Sequence, residues 1–304
     1  MRSVVMLSLL TTTTHAFSQS PSQQCGNSSS YCPAELSCCA AQYSPSTFGC
    51  QVAGGTCCKM GPELPPSTTK KNVLIIGDSV SIGYTSYANP NVPALLSSTA
   101  LAQHAPWDVS DGGAGSTAQG LACVERYLVT QAQQPVKWDA ITFNFGLHDL
   151  DNSSAAEALY SSQLFNITTR LLATGAKLLY LTTTPFMPKR MLGDTVVEQL
   201  NVKARAIMDA HAIPVLDLYA LVVAHCGPVP YADCDWCRRH PCSYHYDAAG
   251  MDAQAIAVAN AVEGLLSERW LVRRARTGTD CVPRVEESPP QTWRACARAW
   301  RVSF

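Results

Sequence analysis

Charge is scarce in this 304-residue chain. Asp, Glu, Lys and Arg make up 15 % of it, and the formal net charge is −1. That excludes a nucleic-acid binder that works through a broad basic field. Beyond the N-terminus there is no uninterrupted apolar run of the roughly 18 residues that a membrane-crossing helix needs, so no transmembrane segment is predicted. Large apolar side chains are thin over residues 17–68, where Ser, Gly, Pro, Gln and Cys dominate. So small and polar a piece cannot build a core and has to be stapled.

What the chain does hold is cysteine, fourteen in all, which fits an oxidising compartment. The start agrees. Arg2 supplies a positive charge, Val4 to Leu10 an apolar stretch, and Thr14-His15-Ala16 small residues at −3 and −1 of a cleavage site. Residues 1–16 are therefore predicted to be a secretory signal, too short to span a bilayer, and the protein is expected to be secreted. Three Asn-x-Ser/Thr sequons, at Asn27, Asn152 and Asn166, are weak support, since chance often produces them. The remaining charge is uneven: from Arg269 on there are eight Arg against Asp280, Glu286 and Glu287, a local net of +5.

Seven cysteines fall at 25, 32, 38, 39, 50, 57 and 58, predicting a disulfide-rich module over 17–62. The number is odd, so one thiol is free, pairs outside the module, or pairs between chains. The pattern Tyr31-Cys32-Pro33, Cys38-Cys39, Phe48-Gly49-Cys50 and Cys57-Cys58 resembles part of a granulin repeat. Gln24-Cys25-Gly26 with Cys32-Pro33 is also similar to a hevein-type chitin-binding module, but without an evident aromatic platform. Residues 63–70, rich in Pro, Ser and Thr, read as a linker.

From residue 71 to 267 short apolar runs alternate with amphipathic stretches. Strands are expected at 73–76, 107–110, 139–145, 177–183 and 214–218. Helical patterns lie near 116–131, 154–173, 195–211 and 248–267. Ser154 with Glu157, and Thr195 with Glu198, read as capping boxes. In the third helix Val196, Val197, Leu200, Ala204, Ile207 and Met208 recur at helical spacing; in the last, Met251, Ile256, Val262, Leu265 and Leu266 share a side. Alternation of this kind implies a parallel sheet between helical layers, with its site beyond the carboxyl ends of the strands.

Chemistry-bearing residues stand at those ends. Gly77-Asp78-Ser79 follows the first strand, Asp111-Gly112-Gly113-Ala114-Gly115-Ser116 the second, Gly146-Leu147-His148-Asp149 the third, and Tyr244-His245-Tyr246-Asp247 precedes the last helix. In this order the chain offers a nucleophile, a glycine N–H for an oxyanion, a side-chain donor and a late base.

With these blocks the chain resembles the SGNH (GDSL) hydrolase family over 71–267. Gly77-Asp78-Ser79 matches its first block, Gly115 its oxyanion glycine, and His245 with Gly250 its last. The third block departs, with His148 where the family has Asn. The resemblance implies a three-layer α/β/α flavodoxin-like fold, no cofactor, and esterase, lipase or carbohydrate-deacetylase chemistry. Ser79 would be the nucleophile and His245 the base. Ser79, Gly115 and His148 would form the oxyanion hole. An ester-bearing glycan, O-acetylated for instance, or a small-molecule ester would be the substrate. The family's acid, three residues before the His, is here Cys242; Asp233, Asp235 and Asp247 are candidates for it by proximity, and a Ser–His dyad is the default.

Other readings compete. Cys226, Cys234, Cys237, His240 and Cys242 have zinc-like spacing, although two disulfides among the four cysteines are favoured in an exported chain. His245 could be an ordinary helix-start residue, and His148 a satisfied structural one. Asp149 is expected to bond backbone locally, Asp217 to be structural, Cys123 to be a buried free thiol, and Cys281 to pair with Cys296. The tail 268–304, with Trp270, Trp293 and Trp300, reads as a solvated arm or one packed on the domain. Either it or the N-terminal module could contact polysaccharide. The rival function is a catalytically weak or inactive carbohydrate-binding protein on the same scaffold, with Cys242 marking the lost acid.

Overall fold

The computed structural model describes residues 61–62, 65–85, 100–106, 113–130, 134–187, 194–229, 231 and 233–267, together with short strands between residues 23 and 59. The expected leader, the strand at 107–110, the Cys281–Cys296 pair and the Arg-rich tail lie outside these residues.

Near the N-terminus β1 (Gln23–Gln24) pairs antiparallel with β2 (Tyr31–Cys32). Strands β3 (Ser37–Ala41), β4 (Ser44–Gln51) and β5 (Cys58–Lys59) form a second small antiparallel sheet. Cys58 leaves the module, because its sulfur is bonded to Cys123. Of the three fates open to an odd cysteine this one pairs outside, and the free thiol expected at Cys123 is corrected. A helix stripe shows that Cys123 is buried; it cannot show what arrives from 65 residues upstream.

The large domain is built on β6 (Lys71–Ile76), β7 (Ala100–Ala105), β8 (Ala140–Phe143), β9 (Lys177–Leu181) and β10 (Val215–Leu216). They lie in the order β10-β9-β8-β6-β7, each parallel to its neighbour. A strand thus occupies 100–105, where none was expected. As an edge strand carrying Gln103 and His104 between alanines, it has none of the β-branched density that marks its neighbours.

Strand β6 is buried on both faces, which is why it reads as an unbroken apolar run. Leu74 and Ile76 face one helical layer, formed by α2 (Thr117–Tyr127), α3 (Ser154–Ala173) and α4 (Asp194–Ala210). Val73 and Ile75 face the other, formed by α1 (Ser79–Tyr84), α5 (Leu218–Cys226) and α6 (Ala248–Leu266). Fully burying each such side chain contributes about 1.5–3 kcal/mol.

Helix starts follow capping chemistry. The cap of α3 is Ser153, one residue before the expected Ser154, its hydroxyl accepting from the Ala156 N–H. Asp217 caps the unforeseen helix α5, where an apolar Leu-Tyr-Ala-Leu-Val-Val run hides helical periodicity. In α6, Val262 and Leu265 are buried as expected, while Ile256 points outward at 52 % exposure and Ala255, Val258 and Ala261 join the core face. The chain moves from β6 to the edge at β7 and then crosses back to β8. The ends of β6 and β8 thus flank the switch point where such sheets carry their sites.

Candidate active site

Asp78 closes β6 and caps α1, one carboxylate oxygen accepting from the Val80 N–H at 2.9 Å. Its other oxygen is buried without a partner. Burial pushes this carboxyl above its usual range, against the nearby His148 charge and the backbone donors. The next residue, Ser79, is the first of α1 and half-buried, so its hydroxyl stands at the rim of the sheet at the N-terminus of that helix.

The glycine loop lies against this turn. The Ala114 N–H donates to the Gly77 carbonyl at 2.8 Å, and Gly113 bridges to Asp78. A Cβ on Gly113 would sit 2.3 Å from the Gly77 oxygen, and its φ of 74° is already left-handed, so only glycine fits. Gly115 follows at φ 68°, and Ser116 then caps α2. Among the described residues, neither the Ser79 N–H nor the Gly115 N–H donates to another group.

The turn after β8 brings exposed His148 and half-buried Asp149. Asp149 does not bond locally as expected. Its carboxylate accepts from the Thr117 N–H at 2.9 Å and the Thr117 hydroxyl at 2.6 Å, clamping the glycine loop 32 residues away. Burial raises its pKa to about 6. His148 lies close enough to Asp78, Asp149 and His245 to shift all three electrostatically.

His245 arrives on a loop held by two disulfides, Cys226–Cys234 and Cys237–Cys242, as two bridges among these four cysteines were expected to do. Cys237 bridges to Tyr246, and the Arg238 N–H donates to the His245 carbonyl at 3.1 Å. The imidazole Nε2 lies 2.8 Å from Ser79 Oγ, across 166 residues of chain. Burial lowers the His245 pKa, and the positive charges of Arg238, Arg239 and His148 lower it further.

The acid candidates are all engaged elsewhere. Asp235 accepts from His225 and Asp233 from His240, each at 2.6 Å, and Asp247 caps α6 through the Gly250 N–H at 3.0 Å. Among the described residues no carboxylate bonds the His245 ring. Cys242, in the family's acid position, is spent in its disulfide. Those bridges also take the sulfurs from any zinc set: where His225, Cys234 and Asp235 gather, the Cys234 sulfur is bonded to Cys226, leaving two donors where zinc takes three or four.

Two aromatics beside His245 were not anticipated. Tyr244 meets the His245 ring edge-on at 4.5 Å between centroids and stacks on Phe186 at 5.3 Å. Tyr244 adjoins His245 in sequence and could have been suspected; Phe186, after β9, carries no such signal. Among the described residues no helix is long and apolar enough to cross a membrane.

Against known proteins, the model of the GDSL-like Lipase/Acylhydrolase family matches residues 75–253, well over half of the chain. No curated protein matches significantly. Among solved structures, an acylhydrolase candidate from Bacteroides fragilis is 16 % identical with a TM-score of 0.51, covering 67 % of this chain and 92 % of its own. A GDSL-like lipase from Bacteroides thetaiotaomicron is 14 % identical with a TM-score of 0.48, covering 66 % and 91 %. An acetyl xylan esterase is 13 % identical with a TM-score of 0.49, covering 63 % and 99 %.

Proposed function

The chain belongs to the GDSL-like lipase/acylhydrolase family, hydrolases of ester bonds, and on that premise we propose that it cleaves carboxylic esters through an acyl-enzyme on Ser79. The observation that carries this reading is the 2.8 Å contact between Ser79 Oγ and His245 Nε2. Serine is a weak nucleophile at its own pKa and needs a base within such reach. His245 takes the hydroxyl proton as Oγ attacks the carbonyl carbon. The tetrahedral oxyanion then lies among the Ser79 N–H, the Gly115 N–H and the His148 ring. Collapse expels the alkoxide, which receives the proton from His245. Water, deprotonated by the same imidazole, releases the acid and restores Ser79.

With no carboxylate on its ring among the described residues, His245 works as one half of a dyad, aimed by its disulfide-held loop. The substrate we favour is an ester on a glycan, O-acetyl in particular. This extension rests on the range of the family's chemistry, and the aromatic surface of Tyr244 beside the base is compatible with a bulky alcohol. Export belongs to the proposal, supported by the leader-like residues 1–16 and by three disulfides among the described residues. So do a granulin-like module over 17–62 and polysaccharide contact through that module or the Arg-rich tail.

The test is direct. The purified protein is incubated with a short-chain chromogenic ester and with a fluorophosphonate. Turnover, with label on Ser79 alone, is the expected result. Neither turnover nor label, with glycan binding intact, would replace this reading with the binding-protein one.

A further inference from the structure

Two residues past the nucleophile stands a second serine–histidine contact. Ser81 Oγ is 2.7 Å from His104 Nε2, and His104 Nδ1 is 2.9 Å from the Pro106 carbonyl oxygen. Both side chains are buried, at 2 % and 6 % exposure, so no substrate reaches them. Packing does not require them either, since alanine and an apolar ring would fill the space without desolvating polar groups.

The Ser81 hydroxyl also donates to the Asp78 carbonyl at 2.6 Å, and the Ile82 N–H donates to the same oxygen at 3.1 Å. That carbonyl shares a peptide plane with the Ser79 N–H, and in a trans peptide the two point in opposite directions. Holding the Asp78 oxygen along α1, toward Ser81 and Ile82, therefore turns the Ser79 N–H the other way, off the N-terminal end of the helix. Ser81 is in turn gripped from the edge strand, where His104 sits in register with Ile75 of β6. The turn closes tightly onto this hydroxyl: a Cβ on Gly77 would stand 2.5 Å from Ser81 Oγ. A carbonyl only accepts, so Nδ1 of His104 donates to Pro106; the one Ser81 proton goes to the Asp78 oxygen, so Nε2 donates to Ser81 Oγ, and with a proton on each nitrogen the ring is fixed from both ends.

We propose that Ser81 and His104 are positioning residues: a buried strut from the sheet edge that orients the Asp78–Ser79 peptide and aims the Ser79 N–H at the oxyanion. The proposal rests on the esterase reading above. Its effect falls on the transition state, because the ground-state ester carries little charge for that N–H to meet.

The experiment compares Ser81→Ala, His104→Leu and His104→Gln in the full chain. It reads kcat and KM on a 4-nitrophenyl ester and inhibition by benzeneboronic acid, whose serine adduct is a tetrahedral anion. Removing one oxyanion donor costs about 10²–10³ in turnover, so a misaimed donor in Ser81→Ala and His104→Leu is expected to cost about 10–10², with KM within about twofold. Boronate affinity falls in parallel. His104→Gln, whose amide N–H reaches toward Ser81, keeps most of the activity. Thr168→Ala removes a comparable buried hydroxyl on α3, bonded to Leu164 at 2.8 Å, and is expected to lower the melting temperature with kcat unchanged. Should Ser81→Ala fail to fold, the two His104 variants carry the test. Wild-type kcat and boronate affinity in Ser81→Ala, or in His104→Leu, sink the strut alone. A wild-type protein without esterase activity or Ser79 labelling sinks the esterase reading and the strut with it.

Discussion

Cys242 stands three residues before His245, and its sulfur is bonded to Cys237. A carboxylate there would orient the imidazole by accepting its N–H; a disulfide orients it only through the loop it closes. In the proposed dyad, loop geometry takes over a task that side-chain chemistry performs elsewhere.

The first prediction follows from that. Replacing Cys237 and Cys242 together by serine frees the loop that carries His245. A misplacement of about 1 Å can cost up to 10²-fold, so kcat is expected to drop by about 10–10². Mild reduction of the wild-type protein should mimic the double variant. Activity that survives both would show that the loop needs no clamp.

His148 stands where the family has asparagine, and either side chain can donate to an oxyanion. His148→Ala is expected to lower kcat by about 10²–10³, and His148→Asn by much less. Steady-state kinetics on one ester suffice to compare them. Equal losses would show that His148 does something other than donate.

In the proposed mechanism His245 works as a base only when neutral. Burial together with Arg238, Arg239 and His148 lowers the His245 pKa below its ordinary 6.5, so the acid limb of kcat/KM should lie below that pH. Neutralising Arg238 and Arg239 to glutamine removes two positive charges and should move the limb upward. A pH–rate profile of the double variant that overlays the wild type would refute the electrostatic cause.

Asp149 has its pKa raised to about 6 by burial, against 3.8 for the ordinary group. Between those values the folded state binds the proton more tightly than the unfolded one, so this residue's contribution to stability declines as pH rises from about 4 to about 6. Asp149→Asn removes that decline while keeping an acceptor for Thr117. Melting curves across this range should therefore fall with pH more steeply for the wild type than for the variant.

Strand β6 and the turn after it are legible because their signals are local. Four buried apolar residues followed by Gly-Asp-Ser need no partner to be recognised, and Val196, Val197, Leu200, Ala204 and Met208 of α4 show their buried face by spacing alone. Strand β7 escaped notice because an edge strand of alanines with Gln103 and His104 has no such pattern. Cys123, Asp149 and His104 were misread or passed over for one reason: the group that gives each its role lies far away in the chain.

The order of chemical groups along the chain was decided by the residues alone. A serine after the first buried strand, a glycine loop after the next and a histidine before the last helix follow from composition and period, because strand and helix preferences act over a few residues. Folding settled which groups meet: Ser79 with His245, Asp149 with Thr117 and Cys58 with Cys123. Those contacts depend on directions and distances between elements tens of residues apart, set by packing on the two faces of one sheet, and no local pattern records them.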